Sequence, residues 1–137
     1  MTIRRLDLGD VGKLALFRLY FIETGQECDV DLFPENLAET DKDEFAVVIE
    51  YLDRVAQHGP PKNKEKSRFL DKKLRVFELK SGRVRIPAFW DEGRLIICAN
   101  AFFKDAAKTK KKELRRARML KKQYDDDKNR KQLKFKE

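Results

Sequence analysis

The sequence is poor in the residues that build disulfide, metal or imidazole chemistry. It has two cysteines, Cys28 and Cys98, and their separation suits neither a disulfide framework nor a zinc site. Such usage fits a compartment that keeps thiols reduced. Cys98 sits in an apolar run and reads as a small core residue. The one histidine, His58, closes a predicted helix, where it suits the negative end of the helix dipole better than a catalytic role. No apolar run approaches membrane-spanning length, and the opening residues MTIRRLDLGD contain none of signal-peptide length. The expectation is a soluble, cytoplasmic protein that needs no metal, cofactor or membrane.

What the sequence has in excess is charge. Charged residues make up 41% of the 137, against the usual quarter, and the hydrophobic set another 41%. That is enough for one compact core under an ionised surface, hence a single domain over 1–137. The net charge of +8 is unevenly placed. Lys104 to Glu137 carries fifteen Lys/Arg against six Asp/Glu, a net of +9, and the other 103 residues carry seventeen against eighteen. A basic final quarter, with a helix and tail over 110–137, suggests a polyanionic partner or a solvated cationic helix.

Hydrophobic spacing orders the elements. LALFRLYFI, Leu14 to Ile22, is apolar at both alternating sets, as a strand covered on both faces would be. Phe45, Val48, Ile49, Leu52, Val55 and Ala56 form one helical stripe, with capping acids near Asp41 and a stop at Gly59-Pro60-Pro61. PPKNKEKSR reads as a polar connector. Leu74–Lys80, Arg83–Trp90 and Arg94–Phe103 read as strands joined by tight turns, an antiparallel meander. Pro87 cannot donate a ladder hydrogen bond and should sit at a bulge or at a free donor position. Lys110 to about Lys134 reads as a helix with a narrow stripe of Leu114, Ala117, Leu120 and Tyr124. The fold class expected is α+β, a twisted and mainly antiparallel sheet with helices on one face.

The chemistry-bearing stretch is Leu74 to Tyr124. Lys80, Arg83 and Arg85 flank one turn, and Arg85 points away from Val84 and Ile86. Lys104 and Lys108 follow the last strand, and Lys110, Lys111 and Lys112 open the basic helix, which also carries Arg115. Arginine can grip phosphate oxygens in pairs and lysine adds point charge, so three segments delivering cations to one sheet surface suit a phosphodiester. The same residues could also be a scatter of solvated charges. No helix-turn-helix, finger or RNP-type motif is present.

These residues resemble the RelE/HigB superfamily of toxin–antitoxin toxins, in its phage-associated HigB-like branch. Phe77-Glu78-Leu79-Lys80 matches the first strand of that pattern, Arg85-Ile86 with Phe89 the second, and Phe102-Phe103-Lys104 with Lys108-Thr109 the third. Glu113, Ala117 and Tyr124 fall in its helix. The sequence departs from the pattern in three ways. Lys80 stands for an arginine, Asp105 follows Lys104 where a second lysine is common, and Val76 and Glu78 stand where classical members carry lysines.

The resemblance implies a RelE-like fold and an endoribonuclease that cuts mRNA, commonly on the ribosome, by attack of a 2′-hydroxyl on the adjacent phosphorus. It implies catalytic roles for Arg85, Lys104, Lys108 and Tyr124, with Arg85 foremost. RNA contacts would come from Lys80, Arg83, Lys110, Lys111, Lys112 and Arg115. On the residues alone Tyr124 reads as a packing group. The implied partners are mRNA, the ribosome and an antitoxin protein of helix-turn-helix type. Two other readings stay open: a ParE-like toxin that inhibits gyrase by protein contact, and a catalytically inactive nucleic-acid-binding protein.

Overall fold

The computed structural model describes residues 1–6, 16–23, 41–62, 67–104 and 107–137, with the side chains of 67–68 and 107–110 outside the description. In chain order the elements are β1 (Thr2–Arg5), β2 (Arg18–Glu23), α1 (Lys42–His58), β3 (Ser67–Asp71), β4 (Val76–Ser81), β5 (Val84–Asp91), β6 (Leu95–Cys98), β7 (Phe102–Phe103), α2 (Ala107–Asn129) and β8 (Lys134–Lys136). They form one sheet in the order β3-β4-β5-β6-β2-β1-β8, with β7 also paired to β5. All pairs are antiparallel except β2–β6 and β1–β8. The α+β class and the mainly antiparallel sheet agree with the sequence reading.

The helices do not share one face as that reading had them. Val48, Leu52, Val55 and Ala56 of α1 pack with Leu79, Val84, Ile86, Ala88 and Ile96. Ala117, Leu120 and Tyr124 of α2 pack with Val76, Phe89 and Ile97. Neighbours on one strand point to opposite faces, so each helix covers its own face. The reason is already in the strands: β6 is apolar at both alternating sets, and β5 adds Val84, Ile86 and Ala88 on one face and Phe89 on the other, so one covering layer would leave much of that surface wet.

Helix α1 begins at Asp41, whose carboxylate accepts the Glu44 N–H at 3.0 Å. It stops at Gly59, with φ of 84° and its N–H on the Val55 carbonyl. Helix α2 ends sooner than the sequence suggested. Gln132 N–H donates to the Asp127 carbonyl and Lys131 N–H to that of Lys128, with Lys131 at φ 58°. This is a Schellman stop made without glycine. The chain then turns back, and β8 adds to β1.

The strand read as Arg94–Phe103 is broken. Leu95–Cys98 pairs with Ala88–Asp91, whereas Phe102 and Phe103 pair with Arg85 and Val84, one residue out of step. The slip lies opposite Pro87. Its carbonyl accepts the Ala99 N–H at 2.8 Å, and a residue's N and O point to the same side, so the missing donor falls at the bulge as expected. β1, β3 and β8 were not foreseen. Part of β3 lies in the supposed connector, and β8 lies at the end of the supposed helix and in the tail after it. The first expected strand starts later, at Arg18, and its Leu14–Ala15 portion lies outside the described residues.

Leu52 is fully buried under α1. Leu52→Ala should lower unfolding stability by about 2–5 kcal/mol. Urea denaturation should show the midpoint moving with the slope unchanged.

Candidate phosphate-binding site

The antiparallel register collects cations at the β4–β5 turn. Lys80 and Phe102 lie opposite Arg85 on either side of it, and Lys104 continues the β7 ladder by donating its N–H to the Arg83 carbonyl at 2.8 Å. Arg85 is held tightly. Its side chain is 13% exposed, and Nη1 donates to the carbonyls of Gly82 at 2.6 Å and Val84 at 3.1 Å. Nε lies 3.9 Å from Glu78, whose side chain is 1% exposed. A guanidinium fixed in this way is preorganised. It also neutralises a buried carboxylate, so its removal would cost folding energy as well as function.

The other expected cations divide. Lys80 takes part in the scaffold through its backbone N–H, which donates to Tyr51 Oη at 3.3 Å. Burial pushes that tyrosine's pKa up to about 12. Arg83 turns to α1, where Nε sits 3.0 Å from both Glu44 oxygens and its guanidinium lies 4.0 Å from the Phe103 ring centroid. It anchors the start of α1. Lys104, Lys111, Lys112 and Arg115 are exposed. Lys108 and Lys110 lie in the first turns of α2, with their side chains outside the described residues.

Asn100 and Glu113 aim α2. Asn100, on the bulge, donates to Glu113 Oε2 at 2.6 Å. Glu113 is 3% exposed, and burial raises its pKa despite the Asn100 hydrogen bond. This pin sets the first turns of α2, with Lys111 and Lys112, over the same end of the sheet as Arg85. The first turn carries no acidic residue. Like charge therefore gathers at the positive end of the helix dipole, which a bound anion would relieve.

Tyr124 lies elsewhere. It is buried against Phe89, with ring centroids 5.0 Å apart, and its hydroxyl donates to Asp91. Phe89 and Asp91 lie toward the opposite end of β5 from Arg85, at least ~13 Å along the strand. Burial and then the Asp91 carboxylate push the tyrosine pKa up. Lys128 also binds Asp91. Burial works against the Asp91 charge, but the hydrogen bonds from Lys128 and Tyr124 outweigh it and hold that carboxyl below its ordinary range. The network ties the far end of α2 to the sheet. The sequence reading missed both Asn100–Glu113 and Asp91–Tyr124–Lys128, because each joins residues that are neighbours only after α2 has packed. His58 is exposed in the last turn of α1, and Cys98 is a core residue whose thiol burial pushes up to about 12.

Fold and site together define a small α+β protein that gathers cations at one end of a mostly antiparallel sheet, beside the start of a basic helix. Residues 35–122, more than half of the chain, match the model of the family described as Phage derived protein Gp49-like (DUF891), and the chain belongs to that family. The family is known as a RelE/HigB-like toxin family, so this is a toxin-like protein of that type, for which an antitoxin partner is implied in general. The match runs from α1 through most of α2, and β1, β2 and β8 lie outside it. No curated protein matched the chain. Among the described residues, no helix is long and apolar enough to cross a membrane.

Asp91 gives a pH signature. Its folded pKa is depressed, so its contribution to stability is present above the ordinary aspartate range and is lost as pH falls through the folded value. The melting temperature of Asp91→Asn should lie below the parent's near neutrality, and the gap should close as pH falls below about 4. Tyr124→Phe should cost about 1–3 kcal/mol of stability by denaturant titration, through the lost bond to a buried charge.

Proposed function

We propose that this chain is the toxin of a toxin–antitoxin pair and that it cleaves mRNA in the cytoplasm, on the ribosome, by 2′-hydroxyl attack on the phosphodiester. The observation that carries this reading is Arg85, a guanidinium fixed on a central strand at the end of the sheet where Lys80, Lys104 and the start of α2 also lie. In-line attack on phosphorus builds negative charge on the non-bridging oxygens. A preorganised arginine with lysines beside it stabilises that charge at the moment it forms. Arg85 takes this role, with Lys104 and Lys108 next to it.

Lys80, Lys110, Lys111, Lys112 and Arg115 extend the positive surface along which the RNA backbone would run. Arg83, paired to Glu44, supports the site from the α1 side. Tyr124 is left out of the reacting set, since its hydroxyl is engaged by Asp91 at the far end of the sheet. The antitoxin, of helix-turn-helix type, would cover the sheet and the basic helix and neutralise these cations.

Arg85→Ala should lower RNA cleavage by ~10²–10³ and lift growth arrest on induction. Arg85→Lys keeps a cation beside Glu78 and loses only the fork, so it separates lost chemistry from lost folding. Purified RNA with and without ribosomes is the substrate. If Arg85→Ala cuts mRNA as fast as the parent, the site is wrong. A parent that arrests growth but cuts no RNA in either setting would point to gyrase inhibition.

A further inference from the structure

The far end of the sheet carries a second basic surface, and there it is joined by exposed aromatic rings. The β3–β4 turn (72–75) and the β5–β6 turn (92–94) lie at the end opposite the β4–β5 turn, because consecutive hairpins alternate ends. Strand β2 begins beside them, with Arg18 N–H donating to the Arg94 carbonyl at 3.0 Å. Lys72, Lys73, Arg75, Arg94 and Arg18 are all exposed there. The acids nearby are largely spent: Asp71 binds Arg118 at 2.9 Å, and Asp91 binds Tyr124 and Lys128. Glu92 is exposed. Arg75 and Arg94 hold left-handed backbone, φ 58° and 61°, where glycine or asparagine would fit with less strain. Strain of this kind is often kept where it aims a functional group.

On the α1 face of the same end, Trp90 rests on Phe17 and Phe77, with ring centroids 5.1 and 5.6 Å apart. Phe69 lies opposite Phe77 in register, on the edge strand. Trp90 is nevertheless 40% exposed and Phe69 61%. The two inner rings brace Trp90 from the side, which leaves a rigid aromatic surface between the β3–β4 and β5–β6 turns, where Arg75 and Arg94 lie. Double-stranded nucleic acid offers phosphates but no free base faces, whereas an unpaired strand offers both.

We propose that this corner, with Trp90 as its stacking platform and Arg75 and Arg94 in the turns beside it, binds a single-stranded segment of RNA. Trp90 lies on the opposite face of the sheet from Arg85 and ~17 Å along β5 from it, so this is a separate contact. It deepens the RNA reading above but requires no chemistry at Arg85.

Trp90 is the only tryptophan, so its emission reports the site directly. The probe is an unstructured 2′-O-methyl decaribonucleotide, which lacks the attacking hydroxyl and cannot be cut. It should change Trp90 emission in the parent and equally in Arg85→Ala. Anisotropy of the labelled oligomer should show Trp90→Leu binding about tenfold more weakly. Arg94→Asn leaves the aromatic packing in place and suits the left-handed backbone. It should reduce the slope of log affinity against log salt by about 0.7.

Oligomer binding that leaves Trp90 emission unchanged, or affinity and salt slope unaltered in both variants, overturns the proposal. A decaglutamate peptide that changes the emission as strongly as the RNA does would assign the corner to an acidic protein segment instead. Emission change without any cleavage of ordinary RNA by the parent would retain this site and remove the nuclease reading. Cleavage with silent Trp90 would do the reverse.

Discussion

Strand β5 pairs with β4 on one side and with β6 and β7 on the other, and it is covered above and below by helices. Its alternating residues therefore have to satisfy two cores at once: Val84, Ile86 and Ala88 toward α1, and Phe89 toward α2. Arg85 and Asp91 are the charged exceptions on the α2 side, one at each end of the strand, with two carbonyls and Glu78 around Arg85 and with Tyr124 and Lys128 on Asp91. Two-sided burial fixes the register strongly, since a slip of one residue would drive Arg85 into the α1 core.

The bulge opposite Pro87 follows from the same strand. A proline in a central strand removes one ladder donor, and the chain answers with the offset between β6 and β7. That offset is what sends Asn100 to Glu113, and Glu113 in turn fixes where the basic helix starts. A missing N–H at one residue thus helps to place the start of α2 at the Arg85 end of the sheet. The Asp91–Tyr124–Lys128 network holds the other end of that helix, so α2 crosses the sheet in one defined direction.

This direction gives the two ends of the sheet different character. One end has cations with a fixed arginine in a strand, suited to charge that develops during a reaction. The other has cations beside braced aromatic rings, suited to holding unpaired bases. The first draws several of its cations from the start of the +9 final quarter seen in the sequence. Most of the second comes from Arg18, Lys72, Lys73, Arg75 and Arg94, within the stretch whose net charge is −1. Net charge hid this second surface, because the neighbouring acids are engaged in ion pairs only once the chain has folded.

Local patterns in the sequence carry α1, the β4–β5 and β5–β6 hairpins, the constraint at Pro87 and the resemblance to the RelE/HigB superfamily. These are local matters: a 3.6-residue period, a turn between two runs, or a ring that lacks an N–H reports on its own neighbourhood. Packing between distant elements puts the helices on opposite faces, turns Arg83 to α1 and keeps Tyr124 far from Arg85. It also makes strands of β1, β3 and β8. Short strands at or next to the sheet edges are stabilised by their partners' hydrogen bonds more than by their own residues, and KFK at β8 has no apolar alternation to announce it. The stop before it is a lysine in a conformation that usually signals itself with glycine. Each of these depends on contacts between residues distant in the chain, which no local window contains.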